Sequence, residues 1–261
     1  MVNSQCNVRY HMDDLLEIMK TLRAPGGCPW DREQTHQSIR RNMLEEAYEV
    51  VDAIDHEDVE NLKEELGDVL LQVVFHARMA EEAGQFTFED VVDGVCRKLV
   101  YRHPHVFGTV EAEDAQGALS AWDAQKRREK GQRTTADAMD SVAQAMPALI
   151  RAEKIQEKAQ KAGFEWEDIS PALDKLVEEV GELRQSIREH SNVEEELGDL
   201  LFAAVKVGRF AGVESEKALQ GASEKFIRRF RRMEELIDRP LEQLETPELE
   251  RLWRKVKSEE R

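Results

Sequence analysis

An acidic motif with the residue types and spacing of a metal site occurs once in each half of this sequence. The first half contains EEAYE at 45–49 and ELGD at 65–68, and the second half contains EEVGE at 178–182 and ELGD at 196–199. Carboxylates three residues apart share one face of a helix, so two antiparallel helices would bring four of them together. The converging side chains are Glu46, Glu49, Glu65 and Asp68 in the first half, and Glu179, Glu182, Glu196 and Asp199 in the second.

Four neighbouring carboxylates repel one another and become partly protonated unless a cation lies among them. A set of oxygen ligands favours Mg²⁺ or Mn²⁺, whereas di-iron bundles use Glu-x-x-His pairs that these motifs lack. The alternative interpretation is an ordinary solvated helix face. Apolar residues that follow both ELGD motifs weigh against it, as do Gly67 and Gly198, which destabilise a helix interior and predict close packing or ligand approach.

Basic and aromatic residues repeat together with the acids. The repeated pairs are Lys98 and Arg102 with Lys225 and Arg229, and Trp122 and Lys126 with Trp253 and Lys257. Each pair alone is ordinary for a helical protein. Beside a bound cation, such residues supply what a nucleoside triphosphate needs, namely charges for the phosphates and a ring for the base. A P-loop mechanism is disfavoured because the sequence has no Walker glycine loop and no Rossmann fingerprint.

The elements that position these residues are predicted to be helices, because apolar residues recur at helical spacing almost throughout. The predicted helices cover roughly 12–23, 36–55, 58–83, 88–102, 115–129, 147–162, 171–190, 193–211, 214–238 and 247–259. All four tryptophans pair between the halves, which indicates an internal duplication. A polar connector near residues 130–135 then predicts two domains, 1–132 and 133–261.

The composition restricts partners and location. A formal net charge of −17 disfavours nucleic acid as a partner. No apolar stretch is long enough to span a bilayer, and the first residues lack the apolar core of a signal peptide. Three irregularly spaced cysteines are typical of reduced thiols. We therefore expect a cytoplasmic protein without a nucleic-acid or membrane partner.

Over nearly its whole length the sequence resembles the MazG family of all-α nucleoside triphosphate pyrophosphohydrolases. The resemblance rests on the acidic motifs, on GCPWD at 27–31, on RHPHVF at 102–107 and on Gly163-Phe164. It implies an all-α fold of two tandem helical-bundle domains of the all-α NTP pyrophosphatase type. It also implies that a homodimer hydrolyses NTPs and dNTPs to a monophosphate and pyrophosphate with Mg²⁺.

The resemblance further implies roles in the second half, the expected catalytic domain. Glu179, Glu182, Glu196 and Asp199 would hold the metal, and Glu178 would orient or deprotonate the attacking water. The expected phosphate ligands are Lys175, Lys225, Arg228 and Arg229, while Trp253 and Lys257 would close the nucleotide site. Asn192 also belongs to this expected nucleotide site, although family members can carry a lysine there.

The halves differ where Lys175 matches Asn42, which favours the second half as the catalyst. The first half nevertheless keeps every carboxylate. Its second candidate site comprises Glu45, Glu46, Glu49, Glu65, Asp68, Lys98, Arg102, Trp122 and Lys126. Two other functions stay open from the sequence: a base-specific dUTP- or dCTP-type pyrophosphatase, and a nucleotide-binding regulatory module without turnover.

Overall fold

The computed structural model describes residues 9–108 and 114–260, except for the side chain of Gln116. This part of the chain consists of helices and the turns between them and contains no strand, so the all-α prediction is confirmed. The chain divides into two compact units, Met1–Lys126 and Arg127–Arg261. The division falls a few residues before the boundary predicted at 132. Cys6 and both ends of the predicted domains, 1–8 and 261, lie outside the described residues.

Unit 1 is arranged around a long helical hairpin. Its helices are α1 (Met12–Arg23), α2 (Pro29–Glu33), α3 (Arg40–Asp55), α4 (Val59–Glu82), α5 (Phe88–Arg102), α6 (Pro104–Phe107) and α7 (Ala115–Glu129), the last of which ends just beyond the unit. Helices α3 and α4 form the hairpin, and α1 and α5 pack against α4. The buried core consists of Met19, Ile39, Val74, Phe75 and Met79. The unit therefore packs around the apolar face of α4.

Unit 2 is arranged around a second hairpin. Its helices are α8 (Thr135–Asp140), α9 (Ala148–Lys161), α10 (Ser170–Glu189), α11 (Val193–Phe210), α12 (Ser215–Glu235) and α13 (Thr246–Glu259), with a 3-10 turn at Leu241–Gln243. Helices α10 and α11 form the hairpin, and α9 and α12 pack against α11. The short connection between α10 and α11 uses left-handed backbone at His190 (φ 52°) and Asn192 (φ 50°).

All ten predicted helices are present, with differences at their ends and in the short segments. Helix α3 begins at Arg40 rather than near 36, because residues 35–38 form a turn in which the hydroxyl of Ser38 donates to the carbonyl of Thr35 at 3.0 Å. Helices α2, α6 and α8 were not predicted, because they have only 5, 4 and 6 residues and thus no measurable helical period. None of the described helices has the combination of length and apolar character that crossing a bilayer requires.

The two hairpin glycines do not pack against the rest of the chain. Apart from its chain neighbours and the nearby backbone of its own helix, a Cβ atom built on Gly67 or Gly198 would meet no atom of the described residues within 4 Å. Of the two alternatives predicted for these glycines, close packing is therefore absent among the described residues, and ligand approach stays a prediction. The preceding leucines, Leu66 and Leu197, are 52% and 46% exposed. Each glycine thus follows an exposed leucine on its hairpin helix.

Candidate active site

The α10–α11 hairpin of unit 2 gathers carboxylates from both helices. Carboxylate oxygens of Glu179, Glu196 and Asp199 lie within 4.8 Å of one another, and Glu182 shares a hydrogen bond with Glu179. Oxygen Oε2 of Glu179 is buried and has no hydrogen-bond partner among the described residues. A buried carboxylate oxygen without a partner is destabilising, and a hard cation is the partner that an all-oxygen group suits. This cluster therefore fits a divalent metal ion.

A lysine lies among these acids. The ammonium of Lys175 is 2.7 Å from Glu178, 2.8 Å from Glu179 and 3.9 Å from Glu182. The hydrogen bonds to Glu178 and Glu179 raise the pKa of Lys175 above its ordinary value. A hydrogen bond from Glu179, together with burial, raises the pKa of Glu182. Lys175 thus offsets part of the negative charge of the cluster, and a divalent cation could take its place.

The α3–α4 hairpin of unit 1 forms a similar group without the lysine. Carboxylate oxygens of Glu46, Glu49 and Glu65 lie within 4.8 Å of one another. Burial and the charges of Asp68 and Glu49 raise the pKa of Glu46. Burial and the charges of Glu49 and Asp68 likewise raise the pKa of Glu65. Glu45 turns away to an exposed ion pair with Arg41 at 2.7 Å. Glu46 and Glu65 consequently hold their charge less readily than a free glutamate does.

The same arginine–tryptophan contact occurs in both units. The guanidinium of Arg229 lies 5.7 Å from the ring centre of Trp253, and that of Arg102 lies 5.2 Å from the ring centre of Trp122. Arg229 also pairs with Glu260 at 2.7 Å, and this pairing lowers the pKa of Glu260. The repeated contact places a cation on an aromatic face at equivalent positions of the duplicated units.

The predicted site residues of unit 2 fall into two groups. Lys175, Glu178, Glu179, Glu182, Glu196 and Asp199 meet at the α10–α11 hairpin, whereas Lys225, Arg228, Arg229, Trp253 and Lys257 lie on α12 and α13. Over the described part of the chain, no hydrogen bond or ion pair joins the two groups. Asn192 caps the start of α11 with its backbone only, and its side chain is exposed.

In unit 1, the remaining predicted residues lie on α5 and α7. Lys98 is half-buried on α5, one turn before the buried Arg102, and Lys126 lies on α7, one turn after Trp122. His103 contacts the edge of the Trp122 ring, with 4.6 Å between ring centres. The unit therefore brings Arg102 and Trp122 together directly.

A cavity beside the acids of unit 2 was missed by the sequence analysis. It has a volume of about 470 Å³, and Lys175, Glu179 and Asp199 form one side of it. Apolar residues form the other side, among them Met139, Ile155, Phe164, Trp166 and Phe202. Gly163, at φ 86°, turns the chain after α9 so that Phe164 and Trp166 reach this cavity. Both halves of the sequence have a tryptophan three residues after a glycine, and this repeat could have indicated a shared structural role. The sequence alone does not show that the second tryptophan lines a cavity.

An ion-pair network holds the segment that carries Trp166. Glu165 pairs with Lys206 and, at 3.4 Å, with Arg209, and all three side chains are largely buried. Burial raises the pKa of Glu165, but the hydrogen bond from Lys206 and the charges of Lys206 and Arg209 outweigh it and lower that pKa. The ammonium of Lys206 also lies 5.5 Å from the ring centre of Trp166. The network thus fixes one wall of the cavity.

The fold and these sites define a tandem all-α protein in which each unit presents a carboxylate cluster on a helical hairpin. The family model of the MazG nucleotide pyrophosphohydrolase domain matches residues 34–107 and 169–233, which contain the two hairpins. The chain belongs to the MazG family. The matched segments leave out α9, the 163–166 segment and α13, so most of the apolar cavity wall lies outside the family match.

Two relatives of known name cover nearly the whole chain, and a third covers part of it. A protein of Escherichia coli strain K12 named nucleoside triphosphate pyrophosphohydrolase is 46% identical over 259 residues, which is 95% of this chain and 98% of that protein. A Thermotoga maritima protein named nucleoside triphosphate pyrophosphohydrolase/pyrophosphatase MazG is 44% identical over 94% of this chain and 95% of its own length. A Mycobacterium tuberculosis nucleoside triphosphate pyrophosphohydrolase is 47% identical over 58% of this chain and 45% of its own length.

Proposed function

We propose that unit 2 hydrolyses nucleoside triphosphates, ribo- and deoxyribonucleotides alike, to the monophosphate and pyrophosphate. The names of the two relatives that match along almost their full length support this reaction. The observation that carries the assignment to unit 2 is that Glu179 and Asp199 belong to the carboxylate cluster and also border the cavity. A nucleotide with its phosphates at the acids would therefore have its base in the cavity. A volume of about 470 Å³ is within the usual range of small-molecule pockets.

The proposed cofactor is Mg²⁺, with Mn²⁺ as a substitute, held by Glu179, Glu182, Glu196 and Asp199. The unpaired buried oxygen of Glu179 and the close approach of three carboxylates support this ligand set. When bound, such an ion neutralises phosphate oxygens and lowers the pKa of a coordinated water, which favours hydrolysis.

The residues around the acids then have separate tasks. Glu178 is exposed and lies beside the cluster, which suits a base that orients or deprotonates the attacking water. Lys175 would bind a phosphate once a cation took its place beside Glu179. Asn192 at the start of α11 offers an amide donor where family members can carry a lysine.

The residues of α12 and α13 complete the proposed nucleotide site. Lys225, Arg228 and Arg229 would bind phosphates, and Trp253 and Lys257 would close the site. Glu260 now pairs with Arg229 at 2.7 Å and with Arg228 at 3.8 Å, so a phosphate would have to displace this carboxylate. In this exchange a phosphate would replace the Glu260 carboxylate, so the guanidinium groups of Arg228 and Arg229 would keep an anionic partner.

The proposed assembly is a homodimer. The α10–α11 hairpin exposes Val177 (71%), Val180 (42%), Leu197 (46%) and Leu201 (46%). Such a surface is typical of an interface, because monomers rarely expose contiguous apolar patches. The space beside Gly198 would admit a second chain. The free thiols of Cys28 and Cys96 and the net charge of −17 support the further expectation of a cytoplasmic enzyme without a nucleic-acid partner.

A panel of NTPs and dNTPs with Mg²⁺, followed by pyrophosphate release, tests the proposed function. Turnover of none of them would refute it. We expect Glu179→Gln and Asp199→Asn to abolish turnover, because each removes a metal ligand that also borders the cavity. The matched change in unit 1, Glu46→Gln, should have a smaller effect. Equal losses from the two units would overturn the assignment of the reaction to unit 2.

A further inference from the structure

Gln156 presents a buried hydrogen-bond acceptor on the wall of the unit 2 cavity. The residue lies on α9, lines the cavity and is 3% exposed. Its amide nitrogen Nε2 donates to the backbone carbonyl of Phe202 at 2.8 Å. A carbonyl oxygen only accepts, so this bond fixes which end of the Gln156 amide is the nitrogen. The other end, Oε1, is buried and without a hydrogen-bond partner in the described part of the chain.

Lys206 presents a donor on the same wall. It follows Phe202 by four residues on α11, so the two residues share one helix face. Its ammonium lies beside Trp166 and lines the cavity. The ion pair with Glu165 neutralises its charge and engages part of its three N–H groups, which leaves hydrogen-bonding capacity for a neutral base. The cavity lining therefore carries a donor on α11 and an acceptor on α9, and the acceptor is anchored one turn before the donor on α11.

One acceptor and one donor are the hydrogen-bonding types complementary to the lactam edge of a nucleobase. Guanine, hypoxanthine, uracil and thymine each carry a ring N–H next to a carbonyl, so the N–H would donate to Gln156 and the carbonyl would accept from Lys206. Adenine and cytosine carry the reverse order, an amino group next to a bare ring nitrogen. In that case a lone pair would face the oxygen of Gln156, which would stay unsatisfied.

We propose that unit 2 selects nucleoside triphosphates whose base has a lactam edge, read by the Gln156 acceptor and the Lys206 donor. This inference rests on the proposed function, because it assumes that the base occupies the cavity. A site with buried polar groups rejects a ligand that leaves them unpaired. One such mismatch corresponds to roughly a tenfold to hundredfold difference in kcat/KM.

The test uses substrate pairs that differ only at the edge in question. ITP and ATP differ at position 6 of the purine, and UTP and CTP differ at position 4 of the pyrimidine. With the full-length wild-type protein, we expect kcat/KM for ITP to exceed that for ATP at least about tenfold, and likewise UTP over CTP. The Lys206→Met and Gln156→Met variants should bring both ratios towards one. Arg209→Met is the matched control, since it also removes a partner of Glu165 but does not line the cavity, and its ratios should stay at the wild-type values.

Each ratio is taken within one protein, so a partly unfolded variant lowers both rates and leaves the ratio intact. Wild-type ratios near one, or a preference for ATP and CTP, would overturn the inference. So would a Lys206→Met protein that keeps the wild-type ratios. Dissociation constants for ITP and ATP, measured by calorimetry with Ca²⁺ in place of Mg²⁺, should differ in the same direction. A binding preference without turnover would refute the proposed function and leave this inference standing, whereas equal binding would refute the inference.

Discussion

The ion pair between Glu165 and Lys206 should contribute far more to the stability of unit 2 than the exposed ion pairs of the same unit. The side chains of Glu165, Lys206 and Arg209 are 16%, 12% and 9% exposed. Removing one partner of a fully buried pair costs about 3–5 kcal/mol, because the other charge stays buried and unpaired. Since Glu165 keeps a second partner and some contact with water, we expect a coupling free energy of about 2 kcal/mol between Glu165 and Lys206.

A double-mutant cycle of Glu165→Gln and Lys206→Met measures this coupling. The free energy of unfolding is obtained by denaturant titration with tryptophan fluorescence. A background in which Trp30 and Trp122 are replaced by Phe leaves Trp166 and Trp253 as the reporters, so that the signal comes from unit 2. All members of the cycle share this background, and its own effect on stability cancels.

The control is the pair of Arg254 and Glu250, which has a good distance of 3.0 Å but side chains that are 73% and 63% exposed. Its coupling should not exceed about 0.5 kcal/mol. The folded-state pKa of Glu165 lies below its ordinary value of 4.5. The stability that the Glu165 carboxylate contributes is therefore fully present above pH 4.5 and is lost as the pH falls through the folded-state pKa. Equal couplings for the two pairs at neutral pH would refute the argument that burial decides the strength of this interaction.

Two further predictions concern the hairpins and the histidine pair. Gly198→Ala should stabilise α11 by up to about 1 kcal/mol, since its Cβ would meet no described atom within 4 Å beyond the nearby backbone of its own helix, yet weaken the proposed homodimer. If sedimentation gives this variant the same oligomeric state as the wild type, the result would contradict an interface at this surface. Burial and the charge of His36, hydrogen-bonded at 2.8 Å, lower the pKa of His76 below 6.5, so unit 1 should lose stability as the pH falls below that value. The protection factors of the α4 amides against hydrogen exchange should depend less on pH in His76→Gln than in the wild type. An unchanged pH dependence would argue against His76 as the cause of the stability loss.

The sequence by itself determined the helices and the duplication. Apolar spacing located every long helix, because a run of 12 or more residues contains several turns of the period. The Glu-x-x-Glu and Glu-x-x-Asp spacings likewise predicted that carboxylates would share helix faces, and the hairpins bring three of each four within 4.8 Å. These features are local, since they depend on positions a few residues apart within one helix.

Only the tertiary structure decided what surrounds those carboxylates. The cavity joins residues from α8, α9, the 163–166 segment, α10 and α11, and no periodic pattern links such distant positions. The amide orientation of Gln156 depends on a carbonyl 46 residues away. Lys175 illustrates the boundary between the two levels. Its residue type and spacing were visible in the sequence, but its contacts with three carboxylates depend on side-chain positions and charges that the folded hairpin sets.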